Sequence, residues 1–291
     1  HDYRPNTRAK GLATGRAMAI GHVIPTATRH EIVNPVFADF IAGAGERYAA
    51  AGYDLLLSVV PDGDEAQAYR DLARRGTVDG VILHAPRIAD PRIPLLLDLG
   101  LPFVVHGRSS EVRAPYPWVD VNNLRAFRRA AEFLADLGHR RIALVNGLEF
   151  MDFAHRRRRG YLEALESRGL PADARLMHAA EMTETNGHRA GRALLALPAP
   201  PTAILVSSII MAIGVRRAAE EHGLALGRDL SVITHDDDLS YLRNGEDEVP
   251  IFTATRSSVR EAGRIAADLL MERIGQLGQP PRTRLLEAAL I

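Results

Sequence analysis

The chain has 291 residues, of which 46% are hydrophobic, so it is long enough to form two domains that each bury a core. Its 36 basic and 36 acidic residues give a formal net charge of zero, whereas a DNA-binding domain usually carries a basic patch. Cysteine is absent, which excludes disulfides and thiolate metal sites, and no stretch is long and apolar enough to span a membrane.

Strand-like and helix-like segments alternate along the first half of the chain. Residues 17–25 form a short apolar run closed by Pro25, which is typical of the first strand of a buried sheet. A helix is predicted from Pro35 until Gly52 ends it. Its predicted inner face carries Phe37, Ile41, Ala44 and Tyr48. The pattern continues with strands at 53–58, 78–83 and 102–106 and helices at 65–75 and 94–99.

The second half repeats this alternation. A new unit is predicted to begin at Val119–Asn123, and it continues as a helix through Leu137. Further helices are predicted at 155–167, 186–197, 211–221 and 259–277, and further strands at 141–145, 203–206, 231–234, 251–254 and 283–288. Regular alternation of this kind predicts a parallel α/β architecture.

The first sixteen residues are a separate segment. Asn6 follows a proline and is a possible helix N-cap, Ala9 and Leu12 share one helical face, and Gly15 can end the helix. A helix of about two turns is marginal in water by itself, so it is expected to form only with a partner.

This segment closely resembles the linker of the LacI/GalR family of bacterial transcription regulators, in which a Tyr-x-Pro-Asn element precedes a hinge helix. The resemblance implies that Asn6, Ala9 and Leu12 are DNA-hinge residues, with Leu12 as the minor-groove wedge. Asp2 stands where the family often has glycine. Because the chain begins within the motif, a helix-turn-helix headpiece is expected to precede it, and operator DNA is expected to bind through the full-length protein only.

Four phrases in the rest of the chain also resemble this family, at 78–82, 137–143, 201–204 and 229–233. The resemblance covers essentially the whole chain. It implies two Rossmann-like lobes of the periplasmic-binding-protein (type I) kind, with a ligand cleft between them and crossovers near Asn122, Thr255 and Thr283. The expected divisions are a linker at 1–16, an N-terminal lobe at 17–122 plus 255–283, and a C-terminal lobe at 123–254 plus 284–291.

Ligands of open α/β sheets bind beyond the carboxyl ends of the strands. The resemblance, supported in part by this rule, implies a set of ligand-binding residues: Phe37, Arg108, Asn122, Phe153, Arg157, Met182, Ser208 and Asp236. Phe37 is suited to stacking on a sugar ring, or it belongs to the core. Arg108 offers forked donors to vicinal hydroxyls, or it is a solvated surface residue. Asn122 contacts ligand or caps a helix.

Arg157 is one of four consecutive arginines at 156–159, which helical spacing directs to different sides, so Arg157 can face the cleft while the others stay in water. Asp236 can accept from two adjacent hydroxyls or can cap the following helix. The sequence departs from the family pattern at Ile209, where an aspartate is usual, and at Thr234-His235, where a glycine-aromatic pair is usual.

Enzymatic function is not expected. Lys10 is the only lysine, which removes P-loop and Schiff-base chemistry, and no catalytic triad or zinc-protease motif is present. The acidic run 236–238 could in principle hold Mg²⁺, but no catalytic residue, cofactor or metal site is assigned.

The alternative to a transcription regulator is a periplasmic-type sugar-binding transport receptor. The linker and the lack of a signal peptide argue against it and favour the cytoplasm.

The resemblance implies a homodimer that senses a small sugar and couples its binding to operator DNA through a shift between lobe orientations. The helices at 35–52 and 65–75 are the candidate dimer surfaces. The expected effector is a glucose-containing disaccharide such as an α-glucoside. The segments 106–108 and 152–157 resemble α-glucoside and maltose regulators, and the proposed ligand-binding residues include few aromatics for stacking on a purine.

Overall fold

The computed structural model describes residues 15–25, 34–61, 63–246, 249–276 and 278–291. The hinge residues Asn6, Ala9 and Leu12, and the loop 26–33, lie outside these ranges. Two compact units are present. Unit 1 contains the described residues up to Asp120 together with Val259–Arg284, and unit 2 contains Val121–Ser258 and Leu285–Ile291. The chain therefore passes between units after Asp120, Ser258 and Arg284, beside the crossovers expected near 122, 255 and 283.

Strands and helices alternate along most of the described chain. The strands are β1 (Ala19–Pro25), β2 (Asp54–Val60), β3 (Gly80–His84), β4 (Phe103–His106), β5 (Trp118–Val121), β6 (Ile142–Asn146), β7 (Met177–Ala179), β8 (Ala203–Val206), β9 (Ser231–Asp236), β10 (Thr253–Arg256), β11 (Thr283–Leu286) and β12 (Ala289–Leu290). The helices are α1 (Pro35–Ala51), α2 (Glu65–Arg75), α3 (Arg92–Leu99), α4 (Asn123–Asp136), α5 (Asp152–Ser167), α6 (Glu184–Leu195), α7 (Ile209–Glu221) and α8 (Val259–Gly275). Among the described residues, no helix combines the length and apolar character that crossing a membrane requires.

Two six-stranded sheets organise these elements, in the orders β11-β5-β4-β3-β1-β2 and β12-β10-β9-β8-β6-β7. In the first sheet, β1 pairs in parallel with β2 and β3, and β4 with β3 and β5. In the second, β6 pairs in parallel with β7 and β8, and β9 with β8 and β10, while β12 runs antiparallel to β10. Parallel strands end at the same edge of a sheet, so each sheet gathers its strand-end residues there.

Each unit buries its own apolar core. In unit 1, Tyr69 and Leu72 of α2 pack with Val81 and Leu83 of β3. On α1, Gly43 is packed against α8 so closely that a Cβ atom there would overlap the carbonyl oxygen of Arg260. In unit 2, the core is formed by apolar side chains of α4 and α5 against the central strands: Phe127, Ala130, Leu134, Tyr161, Leu144, Leu205 and Ile233.

The buried face of α1 differs from the predicted one. Phe40, Ala44 and Tyr48 are buried at intervals of four residues, whereas Phe37 and Ile41 are only half-buried. Phe37 and Ile41 are therefore less deeply buried than predicted, although they share a face with Ala44 and Tyr48. At about 100° per residue, Phe37 is in line with Ala44 and Tyr48 but lies in the first turn of the helix, whereas Ile41 is at the border of the buried stripe.

One strand was missed by the sequence analysis, and two strand predictions are corrected. β7 has only three residues and none of them is buried, so the sequence gives no periodic signal for it. β10 begins at Thr253, two residues after the predicted start. The strand predicted at 283–288 ends two residues early, as β11 at Leu286, and a second short strand that was not predicted, β12, follows it in the other sheet.

Candidate functional site

The strands of unit 2 end in polar residues at one edge of its sheet. β6 ends at Asn146, β9 at Asp236 and β10 at Arg256, and Ser207 and Ser208 directly follow β8. The parallel pairing of these strands brings their ends together. Several hydrogen-bonding side chains therefore lie together at this edge of unit 2, and Arg157 of α5 joins them.

Arg157 is held by several neighbours at this edge. Its Nε donates to Oδ1 of Asn123 across 2.8 Å, and its Nη1 donates to the carbonyl oxygen of Ser207 across 2.6 Å. The guanidinium lies 5.0 Å from the ring centroids of both Phe127 and Phe153. Only 5% of Arg157 is exposed. Aromatic faces and fixed acceptors stabilise the cation and define one orientation of its planar fork.

A second network joins the end of β6 to the end of β8. Ser207 Oγ donates to Oδ1 of Asn146 across 2.6 Å, and Nδ2 of Asn146 donates to the carbonyl oxygen of Ala154 in the first turn of α5. Both side chains are fully buried. The network ties α5 to the two strand ends, which helps to fix the position from which Arg157 projects.

Asp236 is buried at the end of β9 and already has two partners. Oδ1 accepts a hydrogen bond from the backbone N–H of Asp238 at 2.9 Å, and Oδ2 accepts one from Nε of Arg256 at 2.9 Å. Asp238 has a φ of 56°, in the left-handed region that few non-glycine residues adopt. Each carboxylate oxygen has a second lone pair, so Asp236 can still accept from a ligand. The capping alternative is wrong, because Asp236 holds this turn and precedes no helix.

His235 precedes Asp236 and was not among the predicted site residues. Its Nδ1 lies 3.0 Å from Oγ1 of Thr255, and its buried Nε2 has no hydrogen-bond partner among the described residues, with Oδ1 of Asp237 at 3.5 Å. Burial, followed by the charge of Arg157, lowers the pKa of His235. The imidazole is therefore neutral at pH 7. The signal in the sequence was the unusual Thr-His pair at this strand end.

Met182 and Phe153 border the same edge beside the end of β6. Both are half-buried. A Cβ atom at Gly147 would lie 3.2 Å from the ring of Phe153 and 3.5 Å from Cγ of Met182. The two side chains therefore pack over this glycine and add an apolar surface next to Arg157.

Asn122 and Ser208 are helix N-caps in the structure. Oδ1 of Asn122 accepts from the N–H of Arg125 in α4, and Nδ2 of Asn122 donates to Glu287. Ser208 Oγ accepts from the N–H of Met211 in α7. The capping alternative for Asn122 is thus realised, and its neighbour Asn123 is the residue that contacts Arg157.

The other two predicted site residues belong to unit 1. Arg108 Nε donates to Oδ2 of the buried Asp120 across 2.7 Å, and its guanidinium lies 4.8 Å from the ring centroid of Trp118, so it is not a freely solvated arginine. Phe37 contacts His84 at the end of β3 edge-on, with 5.2 Å between ring centroids. His84 is a further strand-end residue that the sequence did not identify.

The unit 2 edge therefore gathers Phe153, Arg157, Met182, Ser208 and Asp236, with Asn122 at the start of α4, while Phe37 and Arg108 lie in unit 1. Its fixed cation, carboxylate and apolar surface are suited to binding an uncharged polar molecule through several hydrogen bonds. In the part of the chain that the structure describes, no group of three or more histidine, aspartate or glutamate side chains is arranged to hold a metal ion.

The chain is similar to regulatory proteins over nearly its full length. The sequence profile of a family described as periplasmic binding protein-like domain matches residues 131–291. The HTH-type transcriptional regulator AglR of Rhizobium meliloti is 44% identical over 289 residues, which are 99% of this chain and 81% of AglR.

Solved structures agree with these relatives. A regulatory protein of the LacI family from Chloroflexus aggregans has a TM-score of 0.78 and 32% identity, covering 94% of this chain and 97% of that one. A transcriptional regulator CelR–cellobiose complex has a TM-score of 0.83 and 27% identity, covering 100% of this chain and 90% of CelR.

These matches confirm the predicted α/β fold of the periplasmic-binding-protein kind. They also agree with the prediction that the chain is not an enzyme, since the relatives are transcriptional regulators. This chain is 44% identical to the regulator AglR over 99% of the chain's own length and 32% identical to the LacI-family protein from Chloroflexus aggregans. The chain therefore belongs to the LacI family of transcriptional regulators.

Proposed function

We propose that this chain is the effector-binding and dimerisation core of a LacI-family repressor that senses a small sugar, with a glucose-containing disaccharide as the best candidate. In this proposal, sugar binding is coupled to operator DNA binding in the full-length cytoplasmic protein. A periplasmic-type transport receptor is not favoured, because the relatives are transcriptional regulators.

The observation that carries the proposal is the fixed position of Arg157 at the strand ends of unit 2. Its guanidinium is held by Asn123, by the carbonyl oxygen of Ser207 and by two aromatic rings, all of which belong to unit 2 itself. A planar fork of donors held in this way suits adjacent hydroxyl groups, and a preorganised site loses less entropy on binding.

The remaining residues of this edge support a sugar over a flat aromatic ligand. Asp236 offers acceptor lone pairs, and Phe153 and Met182 offer one apolar surface. We assign ligand-contacting roles to Phe153, Arg157, Met182 and Asp236. For Ser208 and Asn122 we propose that ligand contact is added to their capping role.

One solved structure supports our choice of a disaccharide as the effector class. The solved CelR complex, 27% identical to this chain, contains cellobiose, which is built from two glucose rings. We extend this ligand class to the present chain because the fold matches over the full chain and because the unit 2 edge provides both hydroxyl-binding groups and an apolar surface.

We further propose a homodimer that forms through unit 1. Leu55, Leu57 and Val59 alternate along the edge strand β2 and are 39%, 42% and 48% exposed. An apolar row on an edge strand favours association with another surface, and two-fold dimers are the commonest assembly. The helices first considered for this role, α1 and α2, already pack their apolar sides within unit 1.

A thermal-shift screen tests the sugar assignment. Cellobiose, maltose, sucrose, trehalose, glucose, galactose, ribose and hypoxanthine are each added at millimolar concentration. A ligand present at about 100 times its Kd stabilises the folded state by about 2.7 kcal/mol, which raises the Tm by several degrees. We expect this shift with a disaccharide. A shift with hypoxanthine alone would contradict the proposal.

A further inference from the structure

The chain enters the sheet of unit 1 through a short segment, residues 15–18, that lies directly before β1. A carboxylate from another part of the unit holds this segment. Oδ1 of Asp79 accepts a hydrogen bond from the backbone N–H of Ala17 at 2.7 Å, and Oδ2 accepts one from the N–H of Met18 at 2.9 Å. Asp79 lies 62 residues after Ala17 and directly precedes β3. We call this pair of hydrogen bonds the entry anchor.

Backbone hydrogen bonds join the same segment to both neighbouring strands. The N–H of Asp54, the first residue of β2, donates to the carbonyl oxygen of Met18 at 2.8 Å, and the N–H of Asp79 donates to that of Ala19 at 2.9 Å. β2 and β3 are the strands that pair with β1. Both polar groups of the Met18 backbone therefore have partners, one in the entry anchor and one in β2.

Met18 has a backbone conformation that few non-glycine residues adopt. Its φ is 52°, in the left-handed region. Such a conformation persists only where the surrounding structure imposes it. Here the surrounding structure is the entry anchor on the N–H of Met18 and the bond from Asp54 on its carbonyl oxygen. Without the anchor, Met18 can relax to a negative φ, which turns the preceding residues in another direction.

The entry anchor lies near the surface, where packing contributes little. Arg16 and Ala17 are exposed, and Asp79 is half-buried. Tyr53 is close enough to respond to both charges, because burial, followed by the charge of Asp79, raises the pKa of Tyr53 and Arg16 opposes this rise. Hydrogen bonds from backbone N–H groups to a carboxylate are roughly twice as strong as neutral ones. The anchor therefore determines how residues 15–18 leave the sheet.

We propose that Asp79 is a positioning residue for DNA binding, because the entry anchor fixes the direction in which the preceding residues, with the predicted DNA hinge, join unit 1. The DNA part rests on the proposed repressor function. Coupling between two sites is carried by elements that keep a defined arrangement. A freely rotating joint at residues 15–18 would let the hinge move independently of unit 1. The anchor supplies the stiffness that transmits the orientation of unit 1.

The position of Asp79 separates this role from effector binding. Asp79 stands before the first residue of β3, whereas ligands of such sheets bind beyond the carboxyl ends of the strands. A variant at this position should therefore change DNA affinity without changing sugar affinity. Loss of unit 1 structure would instead lower both affinities and the Tm together.

Amide hydrogen exchange of the whole chain, followed by NMR, tests the anchor without ligand or DNA. We expect the amides of Ala17 and Met18 to be protected, and to exchange at least tenfold faster in Asp79→Ala. Asp79→Asn should keep protection at one of them, since its side chain has only one acceptor atom. Asp64→Ala is the matched control, because Asp64 is exposed and makes no side-chain cap bond to α2. Unchanged exchange in β3 would show that each variant is folded.

Two results of this experiment would overturn the anchor. One is rapid exchange of both amides in the wild type, and the other is equal protection of both amides in Asp79→Ala and the wild type.

DNA binding by the full-length protein tests the positioning role. The probe is a DNA site selected from a random pool with the wild type. We expect Asp79→Ala to bind this site roughly tenfold more weakly and Asp79→Asn to be intermediate, while sugar affinity stays within about twofold. Wild-type DNA affinity in a variant that has lost amide protection would overturn the positioning role. If the wild type selects no site, the proposed repressor function fails, and the exchange data alone decide on the anchor.

Discussion

Nε of Arg157 and Oδ1 of Asn123 are joined by a buried hydrogen bond of 2.8 Å, although 34 residues separate them in the chain. Asn123 is the first residue of α4, and its own Nδ2 donates to the carbonyl oxygen of Val121. The amide is therefore fixed at both ends. This bond ties the start of α4 to α5 and gives the guanidinium of Arg157 a fixed direction at the strand ends of unit 2.

Replacing Arg157 should weaken sugar binding more than replacing another arginine of the same run. The loss of a charged hydrogen-bond partner costs about 1.5–3 kcal/mol, which is roughly ten- to a hundred-fold in affinity. We expect this loss in Arg157→Ala by calorimetry. Arg159→Ala is the matched control, because Arg159 is exposed and pairs only with Glu163 among the described residues. Equal affinities in the two variants would remove Arg157 from the site.

Asp236 and Arg256 should be energetically coupled. Their side chains are 2% and 39% exposed, and the bond between Nε and Oδ2 is 2.9 Å long. Asp236→Ala should reduce stability as well as ligand affinity, because the N–H of Asp238 also loses its acceptor. Urea unfolding of both single variants and the double variant should give a coupling energy of about 0.5–3 kcal/mol. Strictly additive losses would show that the pair contributes nothing.

Replacing two glycines of α1 by alanine should change the free energy of unfolding in opposite directions. A Cβ atom at Gly43 would overlap the backbone of Arg260, whereas nothing lies within 4 Å of a Cβ atom at Gly45. Gly43→Ala should lower the free energy of unfolding, since α1 and α8 must move apart. Gly45→Ala should raise it by about 0.5–1 kcal/mol through helix propensity. Chemical denaturation of both variants is the measurement, and a stable Gly43→Ala protein would refute the close approach.

Stability should decrease as the pH falls from about 6.5 toward 4. His22 has a folded-state pKa of about 3 against an ordinary value of 6.5, so the unfolded chain binds more protons in this range. The stability due to the neutral imidazole is fully present above pH 6.5 and is lost as the pH falls toward 3. Each such proton changes the free energy of unfolding by about 1.4 kcal/mol per pH unit. In His22→Phe, the free energy of unfolding measured with urea should therefore depend less steeply on pH. Parallel curves for the two proteins would contradict this assignment.

The apolar row on β2 should be needed for dimerisation. Leu57→Glu places a charge in the middle of the row formed with Leu55 and Val59, and light scattering should then report a monomer where the wild type is a dimer. Leu137→Glu is the control, because Leu137 is 61% exposed and lies in unit 2. A wild type that stays monomeric at high micromolar concentration would contradict the dimer itself.

The sequence predicted the alternation of strands and helices well, because the central strands are continuous apolar runs and most helices have clear caps. The start and end of α2 at Glu65 and Arg75 were predicted correctly. The short strand β7 could not be predicted, since a strand of three residues, none of them buried, carries no periodicity.

The candidate site was only partly accessible to sequence reasoning. Arg157 was identified by resemblance, but its acceptors, Asn123 and the carbonyl oxygen of Ser207, lie 34 and 50 residues away and depend on the fold. His22 and His84 are 62 residues apart and meet only because β1 pairs with β3. Pairings of this kind follow from sheet order, which local patterns do not specify.

Isothermal titration of the wild-type chain with cellobiose, maltose, sucrose and trehalose, and separately with ribose and hypoxanthine, tests the central claim most directly. The account predicts saturable binding of a glucose-containing disaccharide at a single site per chain. It also predicts no heat of binding with hypoxanthine, because the strand ends of unit 2 offer hydroxyl-binding groups and only one apolar surface. Binding of a purine or a pentose alone, or no binding of any sugar at millimolar concentration, would contradict it.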